Sequence, residues 1–247
     1  MKLLVVGDSG AGKTALYGSL VNAGYKVGII HVDGNADILK DPMIVKPECA
    51  SNLSIQAFDT EDPSSWDKIY STLKNWPQWG AVEKWDENYI LGVDSLSLAS
   101  RVALGKVLQA TKQKAISGFM GASSLSTDDL KEVYGGVKQI FFNLVSTCVS
   151  PKLKCHFIGT AHLRDVVKGG QVVSRKLAFE GSALSADVPK KFGDIWELKL
   201  KLDGRRVLLT HPDALVGRKC SAPSLIKKEE EADLSILFNR LKGNLNA

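Results

Sequence analysis

Short apolar runs recur along the first part of the chain. Lys2 to Val6, Lys26 to Val32, Tyr89 to Val93 and Cys155 to Thr160 are rich in valine, isoleucine or leucine. Runs of this length and composition are typical of buried strands. We therefore predict four buried strands, each separated from the next by a longer segment.

Helical spacing characterises the segments between these runs. Trp66, Ile69, Tyr70 and Leu73 recur at helical spacing, behind a helix start signal at Asp62. Further helices are predicted at Thr14 to Asn22, Ser95 to Lys114 and about Asp128 to Val149. Strands that alternate with helices form parallel sheets covered on both faces. The predicted fold class is therefore α/β, with three layers and a mainly parallel central sheet.

The pattern changes after His162, where two hairpins are predicted. Each consists of two apolar runs around a glycine turn, the first at Gly169-Gly170 and the second at Asp203-Gly204. We expect these antiparallel strands to extend the sheet at its C-terminal end.

The last residues differ in composition from the rest. Lys227 to Glu231 is a mixed charge run, which we interpret as the solvated start of a helix. The amphipathic helix predicted after it carries an apolar stripe of Leu234, Leu237, Phe238 and Leu241. We predict a core over residues 1–222 and a C-terminal charged segment with its helix over 223–247.

Composition narrows the class of protein further. A chain of 247 residues is long enough for one large α/β domain. Its four cysteines are scattered without a CxxC pair, which favours a reducing, cytoplasmic setting. No apolar stretch resembles a signal peptide or approaches the length of a membrane span, so no membrane partner is expected. The net charge of +5 favours contact with a polyanion but does not require it.

A phosphate-binding motif follows the first predicted strand. The sequence G-D-S-G-A-G-K-T matches G-x-x-x-x-G-K-[ST] and stands between a strand and a helix, as that motif requires. Its glycines let backbone amides surround phosphates, its lysine reaches the outer phosphate oxygens, and its threonine hydroxyl binds Mg²⁺. The predicted nucleotide contacts are Gly7, Asp8, Ser9, Gly10, Ala11, Gly12, Lys13, Thr14 and Ala15.

Polar residues at the ends of the other strands complete the predicted site. Asp94 is the expected second Mg²⁺ ligand beside Thr14, although capping the next helix would also explain it. Asp33 is the candidate for positioning the attacking water, with a surface turn as the alternative. Thr160 and His162 could sense the terminal phosphate, while a plain hydrogen-bonded histidine is the other interpretation of His162.

Taken together, these segments resemble the RecA-like P-loop ATPases, in particular the compact bacteriophage branch linked to single-strand annealing and recombination. The resemblance covers about Lys2 to Lys219. Leu91 to Leu96 is similar to the family's strand ending in Asp-Ser, and His156 to His162 is similar to its sensor strand. It implies a RecA-like ATPase core with ATP and Mg²⁺ as cofactors, located in the host cell cytoplasm if the source is viral. Asp33 falls where the family usually places a catalytic glutamate, and the shorter aspartate is a departure.

The resemblance also implies partners. RecA-like proteins bind DNA through two loops, which correspond here to Ala115 to Thr127 and Arg164 to Lys176. Phosphate contacts would come from Lys112, Lys114, Lys168, Arg175 and Lys176, with Phe119 as a stacking candidate. Family members form rings or filaments in which basic residues reach the next subunit's nucleotide. Lys190 and Lys191 are the candidates for that role here, with Arg218 as a further one. Candidate partners are single-stranded DNA, further copies of the chain, and a single-strand binding or recombination protein.

The leading hypothesis is an oligomeric, DNA-stimulated ATPase that handles single-stranded DNA in phage-type recombination or replication. A P-loop nucleotide kinase is one alternative, but the sequence has no arginine-rich lid. A GTPase is disfavoured because no N-K-x-D segment is present. An ATP-gated assembly or DNA-packaging protein is the other alternative, in which nucleotide acts as a structural switch.

Overall fold

The computed structural model describes residues 1–32, 36–114, 127–213 and 215–245. Within these residues the chain forms nine strands in one connected sheet. They are β1 (Lys2–Gly7), β2 (Lys26–His31), β3 (Leu53–Ala57), β4 (Tyr89–Asp94), β5 (His156–Lys168), β6 (Gln171–Leu177), β7 (Asp194–Leu200), β8 (Arg206–Leu209) and β9 (Glu229–Glu231).

The sheet is parallel through its centre and antiparallel at its C-terminal edge. Its order is β3-β2-β4-β5-β1-β7-β8-β9. Neighbours from β3 to β7 run parallel, whereas β8 and β9 are antiparallel additions, and β6 pairs with the far half of β5. The predicted α/β class, the mainly parallel sheet and both hairpins are confirmed.

Helices cover both faces of this sheet. They are α1 (Leu16–Asn22), α2 (Ser65–Lys74), α3 (Leu96–Lys114), α4 (Thr127–Cys148), α5 (Ser182–Asp187) and α6 (Leu234–Leu245). Short 3₁₀ helices occur at Asp37–Lys40, Pro47–Asn52, Val82–Lys84 and Val188–Lys191. No helix in the described ranges is both long and apolar enough to span a membrane.

Alternating residues of the strands divide the core into two layers. In β1, Leu4 and Val6 pack with α2, α3, α4 and α5, whereas Leu3 and Val5 pack with α1 and α6. Successive side chains of a strand point to opposite faces, so a buried parallel strand must be apolar at nearly every position. This is why the continuous apolar runs of the sequence correspond to the central strands.

Two elements differ from the sequence prediction. The interpretation of Lys227 to Glu231 as a helix start was wrong, because Glu229–Glu231 forms β9 against β8. Only the middle residue, Glu230, is buried, and it accepts a hydrogen bond from Arg240. The edge strand β3 was not predicted, since its serine and glutamine interrupt the apolar run. The predicted amphipathic helix is present as α6 and packs on α1.

The order of the central strands places the polar ends of three of them together. β5 lies between β1 and β4, with Val5 opposite Thr160 and Gly7 opposite His162. Because these strands are parallel, their carboxyl ends lie at the same edge of the sheet. That edge carries the loop after Gly7 and the carboxylate of Asp94.

At the opposite edge, β5 begins with a partly buried histidine. The His156 ring packs edge-to-face against Tyr25 and Phe238, and its Nδ1 lies 2.8 Å from the Met1 amino group. Burial, reinforced by the positive charges nearby, lowers the pKa of His156 from 6.5 to about 3. The folded chain therefore holds this imidazole neutral at pH values where the unfolded chain protonates it.

This shift predicts a pH dependence of stability. As the pH falls through 6.5, the unfolded chain binds a proton that folded His156 does not, so the thermal midpoint should fall. His156→Asn should flatten this slope between pH 6.5 and about pH 5, above the range in which most carboxylates titrate. Equal slopes for the parent and the variant, measured by thermal unfolding across that range, would contradict the assignment.

Candidate nucleotide-binding site

The loop between β1 and α1 has the backbone conformation that its glycines allow. Gly10 and Gly12 have φ values of +76° and +99°, a left-handed region that residues with a side chain rarely adopt. Both glycines therefore have a conformational reason to occupy these positions. The loop leads into α1, whose first turn adds the positive end of a helix dipole.

Lys13 is held over this loop. Its side chain is only 6% exposed, and its Nζ donates to the carbonyl oxygens of Gly7 at 3.1 Å and Asp8 at 2.8 Å. The same Nζ lies 3.3 Å from Nδ1 of His162. The ammonium group is therefore fixed at the carboxyl end of β1, where the motif places the outer phosphates.

Asp94 is the carboxylate around which the site is organised. It is 1% exposed, and Thr14 Oγ1 donates to its Oδ2 at 2.7 Å. The hydroxyl of Thr160 donates to its Oδ1. The loop, β4 and β5 thus meet at one carboxyl group. Carboxylate and hydroxyl oxygens are the hard donors that Mg²⁺ prefers, so Thr14 and Asp94 fit the predicted metal site.

His31 also adjoins this carboxylate and was not predicted. It ends β2 as the register partner of Asp94, is 3% exposed, and lies with Nδ1 3.4 Å from Asp94 Oδ2. Neither ring nitrogen makes a hydrogen bond within the described part of the chain. The sequence signal that could have identified His31 is its position at the end of a predicted buried strand.

Tyr17 of α1 supports the site from the face of the sheet that α1 covers. Its hydroxyl donates to the Ile158 carbonyl at 3.0 Å, and its ring lies where a Cβ on Gly92 would come within 2.8 Å. Burial, and then the negative charge of Asp94, raise the pKa of Tyr17 well above its usual value. The phenol is therefore a neutral donor that joins α1 to β5 through the glycine gap in β4.

His162 is fixed through its backbone. Its N–H donates to Ser97 Oγ at 2.9 Å, which joins β5 to the start of α3. This leaves the imidazole directed to Lys13 rather than buried in the core. The structure therefore brings Lys13, Thr14, Asp94, Thr160 and His162 together at one edge of the sheet.

A second set of charges fixes Asp8 of the loop. Arg175 of β6 pairs with Asp8, with Asp165 at 2.8 Å and with Glu197 at 3.1 Å. Glu197 also accepts from Arg218 at 3.0 Å. Arg175 and Arg218, expected at DNA and at a neighbouring subunit, are thus engaged with carboxylates of their own chain.

Arg206 is another residue of the site that was not predicted. Its Nε donates to the Ala11 carbonyl at 3.0 Å. It lines, with the loop and Asp94, a cavity of about 270 Å³. The remaining residues that line this cavity include Ile38, Ile44, Ala15 and His162. No motif signals Arg206, because it lies 195 residues from Ala11 along the chain.

Other predicted residues lie away from this edge or outside the described ranges. Lys190 and Lys191 precede β7, at the opposite end of the sheet, where Lys190 pairs with Asp187 and Lys191 lies over the Phe142 ring. Asp33 and Phe119 lie outside the described residues, as do most of the predicted loop over 115–127 and the side chains of Lys112 and Lys114.

Comparison with known proteins gives limited similarity. No protein-family model and no curated protein matches the chain. One solved structure that resembles it is a prototypical ATPase from the type III secretion system of pathogenic bacteria, with 11% identity, a TM-score of 0.44, and coverage of 82% of this chain and 53% of that one. Another is the ATPase EscN, solved with its central stalk EscO from the enteropathogenic E. coli type III secretion system.

The EscN alignment has 13% identity and a TM-score of 0.46, and it covers 81% of this chain and 42% of that one. The chain therefore spans about half the length of these structures. The assignment of the fold and the site rests on the strand order and the contacts described above.

The hydroxyl of Thr160 provides a test of how the site is held. Thr160→Val keeps the shape of the side chain but leaves a buried oxygen of Asp94 without its donor, which should cost about 1–3 kcal/mol of unfolding free energy. Thr160→Ser retains the hydroxyl and should therefore lose less unfolding free energy than Thr160→Val. Urea unfolding of both variants measures this difference, and a valine variant as stable as the serine variant would contradict the role of the hydrogen bond.

Proposed function

We propose that this protein is a Mg²⁺-dependent ATPase. The observation that carries the proposal is the convergence of Lys13, Thr14, Asp94 and Thr160 at the carboxyl ends of three adjacent parallel elements. Ligands of open α/β sheets bind at this edge, because the loops that follow the strands converge there. The residue types match the needs of a triphosphate with its metal ion.

Each residue has a definable task in this proposal. The amides of the loop bind phosphate oxygens, and Lys13 neutralises the outer ones, exchanging its present bonds to the Gly7 and Asp8 carbonyls for phosphate. Thr160 holds Asp94 in place as its hydrogen-bond donor. Thr14 and Asp94 would hold Mg²⁺, which when bound neutralises charge on the phosphate oxygens.

Hydrolysis also needs a group that orients water. Asp33 is proposed for that task, since it follows β2, whose end lies beside Asp94. Thr160 and His162 are proposed to sense the terminal phosphate, and the contact between His162 and Lys13 supports this. A protein that binds ATP only as a switch for assembly would need the same phosphate contacts but not the water-orienting group.

Phosphate release tests the enzymatic proposal. Lys13→Ala and Asp94→Asn should each lower ATP turnover by about 10²-fold or more, because each removes electrostatic stabilisation of the transferred phosphoryl group. The exposed Lys154, at the other end of the sheet, provides a matched control, and Lys154→Ala should retain the parent rate.

Three results would contradict this assignment. Turnover in Lys13→Ala equal to the parent would show that hydrolysis comes from elsewhere. Transfer of phosphate to a nucleoside monophosphate, in place of release to water, would support the nucleotide kinase instead. Nucleotide binding without turnover in the parent would support the ATP-gated assembly or packaging protein.

We further propose that the ATPase acts on single-stranded DNA. The β5–β6 hairpin supports this, since Arg164 and Lys176 are exposed and directly opposite each other in the antiparallel pair. Like charges in this position destabilise a hairpin, and a bound phosphate backbone would offset the repulsion. Lys168 at the turn adds a third exposed cation.

The oligomeric state and the recombination role follow the resemblance to RecA-like proteins of phages. We propose a homo-oligomer in which Lys190 and Lys191 act on the nucleotide of another copy. Both lie at the end of the sheet far from the site of their own chain. A recombination or single-strand binding partner belongs to the same proposal.

DNA binding can be tested at the hairpin. The double variant Arg164→Ala/Lys176→Ala should bind single-stranded DNA about tenfold more weakly, lose DNA-stimulated turnover, and show a shallower salt dependence of affinity. The control Lys152→Ala/Lys154→Ala removes the same charge elsewhere and should match the parent. Fluorescence anisotropy at several salt concentrations measures both quantities. Equal weakening by the two double variants would mean that only net charge matters.

A further inference from the structure

Arg206 reaches the phosphate-binding loop because of the antiparallel end of the sheet. It begins β8, where it is the register partner of Leu200 in β7, and β7 in turn pairs with β1. The start of β8 therefore lies beside the carboxyl end of β1. The fold supplies an arginine to the loop from the same chain.

The contact with the loop is close and specific. Arg206 Nε donates to the Ala11 carbonyl at 3.0 Å, and a Cβ added to Gly12 would lie 2.7 Å from Nε and 3.1 Å from Cδ. The side chain thus packs on the bare face of Gly12. This glycine meets two constraints, since it also has a left-handed backbone.

Most of the donors of this guanidinium remain available. In the described ranges no carboxylate pairs with Arg206, and its hydrogen bond to Ala11 uses Nε alone. Four of the five N–H donors of an arginine belong to its terminal nitrogens. Arg175 and Arg218, in contrast, use their terminal nitrogens on Asp8, Glu197 and Asp213.

We propose that Arg206 binds phosphate oxygens of the nucleotide from within the same chain. It lines the cavity that Gly10, Gly12, Lys13 and Thr14 also line, and its planar donors match phosphate oxygens in pairs. Its Nε bond fixes the guanidinium against the loop, in the cavity that the buried Lys13 also lines. This inference rests on the proposed nucleotide site and adds to it a second cation for the phosphate chain.

Titration with inorganic pyrophosphate and with a non-hydrolysable ATP analogue, both with Mg²⁺, tests the role of Arg206. Arg206→Gln keeps a neutral donor for the Ala11 carbonyl but removes the charge, so affinity for both probes should fall about 10- to 100-fold. The affinity of Arg206→Lys for both probes should lie between that of Arg206→Gln and that of the parent. The neighbour Arg205 pairs with Asp203 away from the loop, so Arg205→Gln should match the parent.

The thermal midpoint without added ligand separates binding from support of the loop. We expect Arg206→Gln to keep the midpoint of the parent. Parent-like affinity, or a weakened affinity accompanied by a lowered midpoint, would overturn the proposal. If Arg206→Gln no longer bound the ATP analogue but bound pyrophosphate like the parent, the proposal would also be overturned, since the contact would then be to the base or sugar.

Lys13→Ala in the same titrations separates this inference from the proposed function. If the parent binds neither probe, or if Lys13→Ala binds both as well as the parent, the nucleotide site and the role of Arg206 fail together. If Lys13→Ala no longer binds either probe while Arg206→Gln binds both like the parent, only the proposed role of Arg206 fails.

Discussion

The structure depends on one buried carboxylate. Asp94 is 1% exposed at the end of β4 and accepts hydrogen bonds from the hydroxyls of Thr14 and Thr160. Burying a carboxylate is costly unless its oxygens are hydrogen-bonded or paired with a cation. The position of this group therefore fixes the start of α1, the end of β4 and the middle of β5 relative to one another. A fold that keeps such a group at its ligand-binding edge can use it as a metal ligand.

The proposed phosphate-binding loop is also connected to the antiparallel strands. Arg175 of β6 contacts Asp8, and Arg206 of β8 contacts Ala11, so two arginines from separate strands contact one turn. These contacts give the C-terminal strands a physical connection to the proposed nucleotide. Lys176, one of the cations proposed for DNA, directly follows Arg175 in β6. A change at the loop on nucleotide binding would reach the hairpin through a single residue.

Local patterns predicted the central fold and the residues of the candidate site that lie at strand ends, whereas long-range contacts could not be predicted. The loop follows an apolar strand, and Asp94 and Thr160 end apolar runs, so their type and their order along the chain were sufficient. Arg206 and Arg175 depend on which strands become neighbours, and their local sequence resembles any exposed strand. β9 was missed because three consecutive glutamates favour solvent, and only its pairing with β8 makes it a strand. His31 was missed because its importance comes from its register with Asp94.

Calorimetric titration of the folded protein with a non-hydrolysable ATP analogue, in the presence and absence of Mg²⁺, tests the central claim most directly. Saturable binding that weakens strongly without Mg²⁺, and no longer responds to Mg²⁺ once Asp94 is replaced by asparagine, is the result expected of a metal held at this carboxylate. Binding whose strength is the same with and without Mg²⁺, or no binding at all, would contradict it.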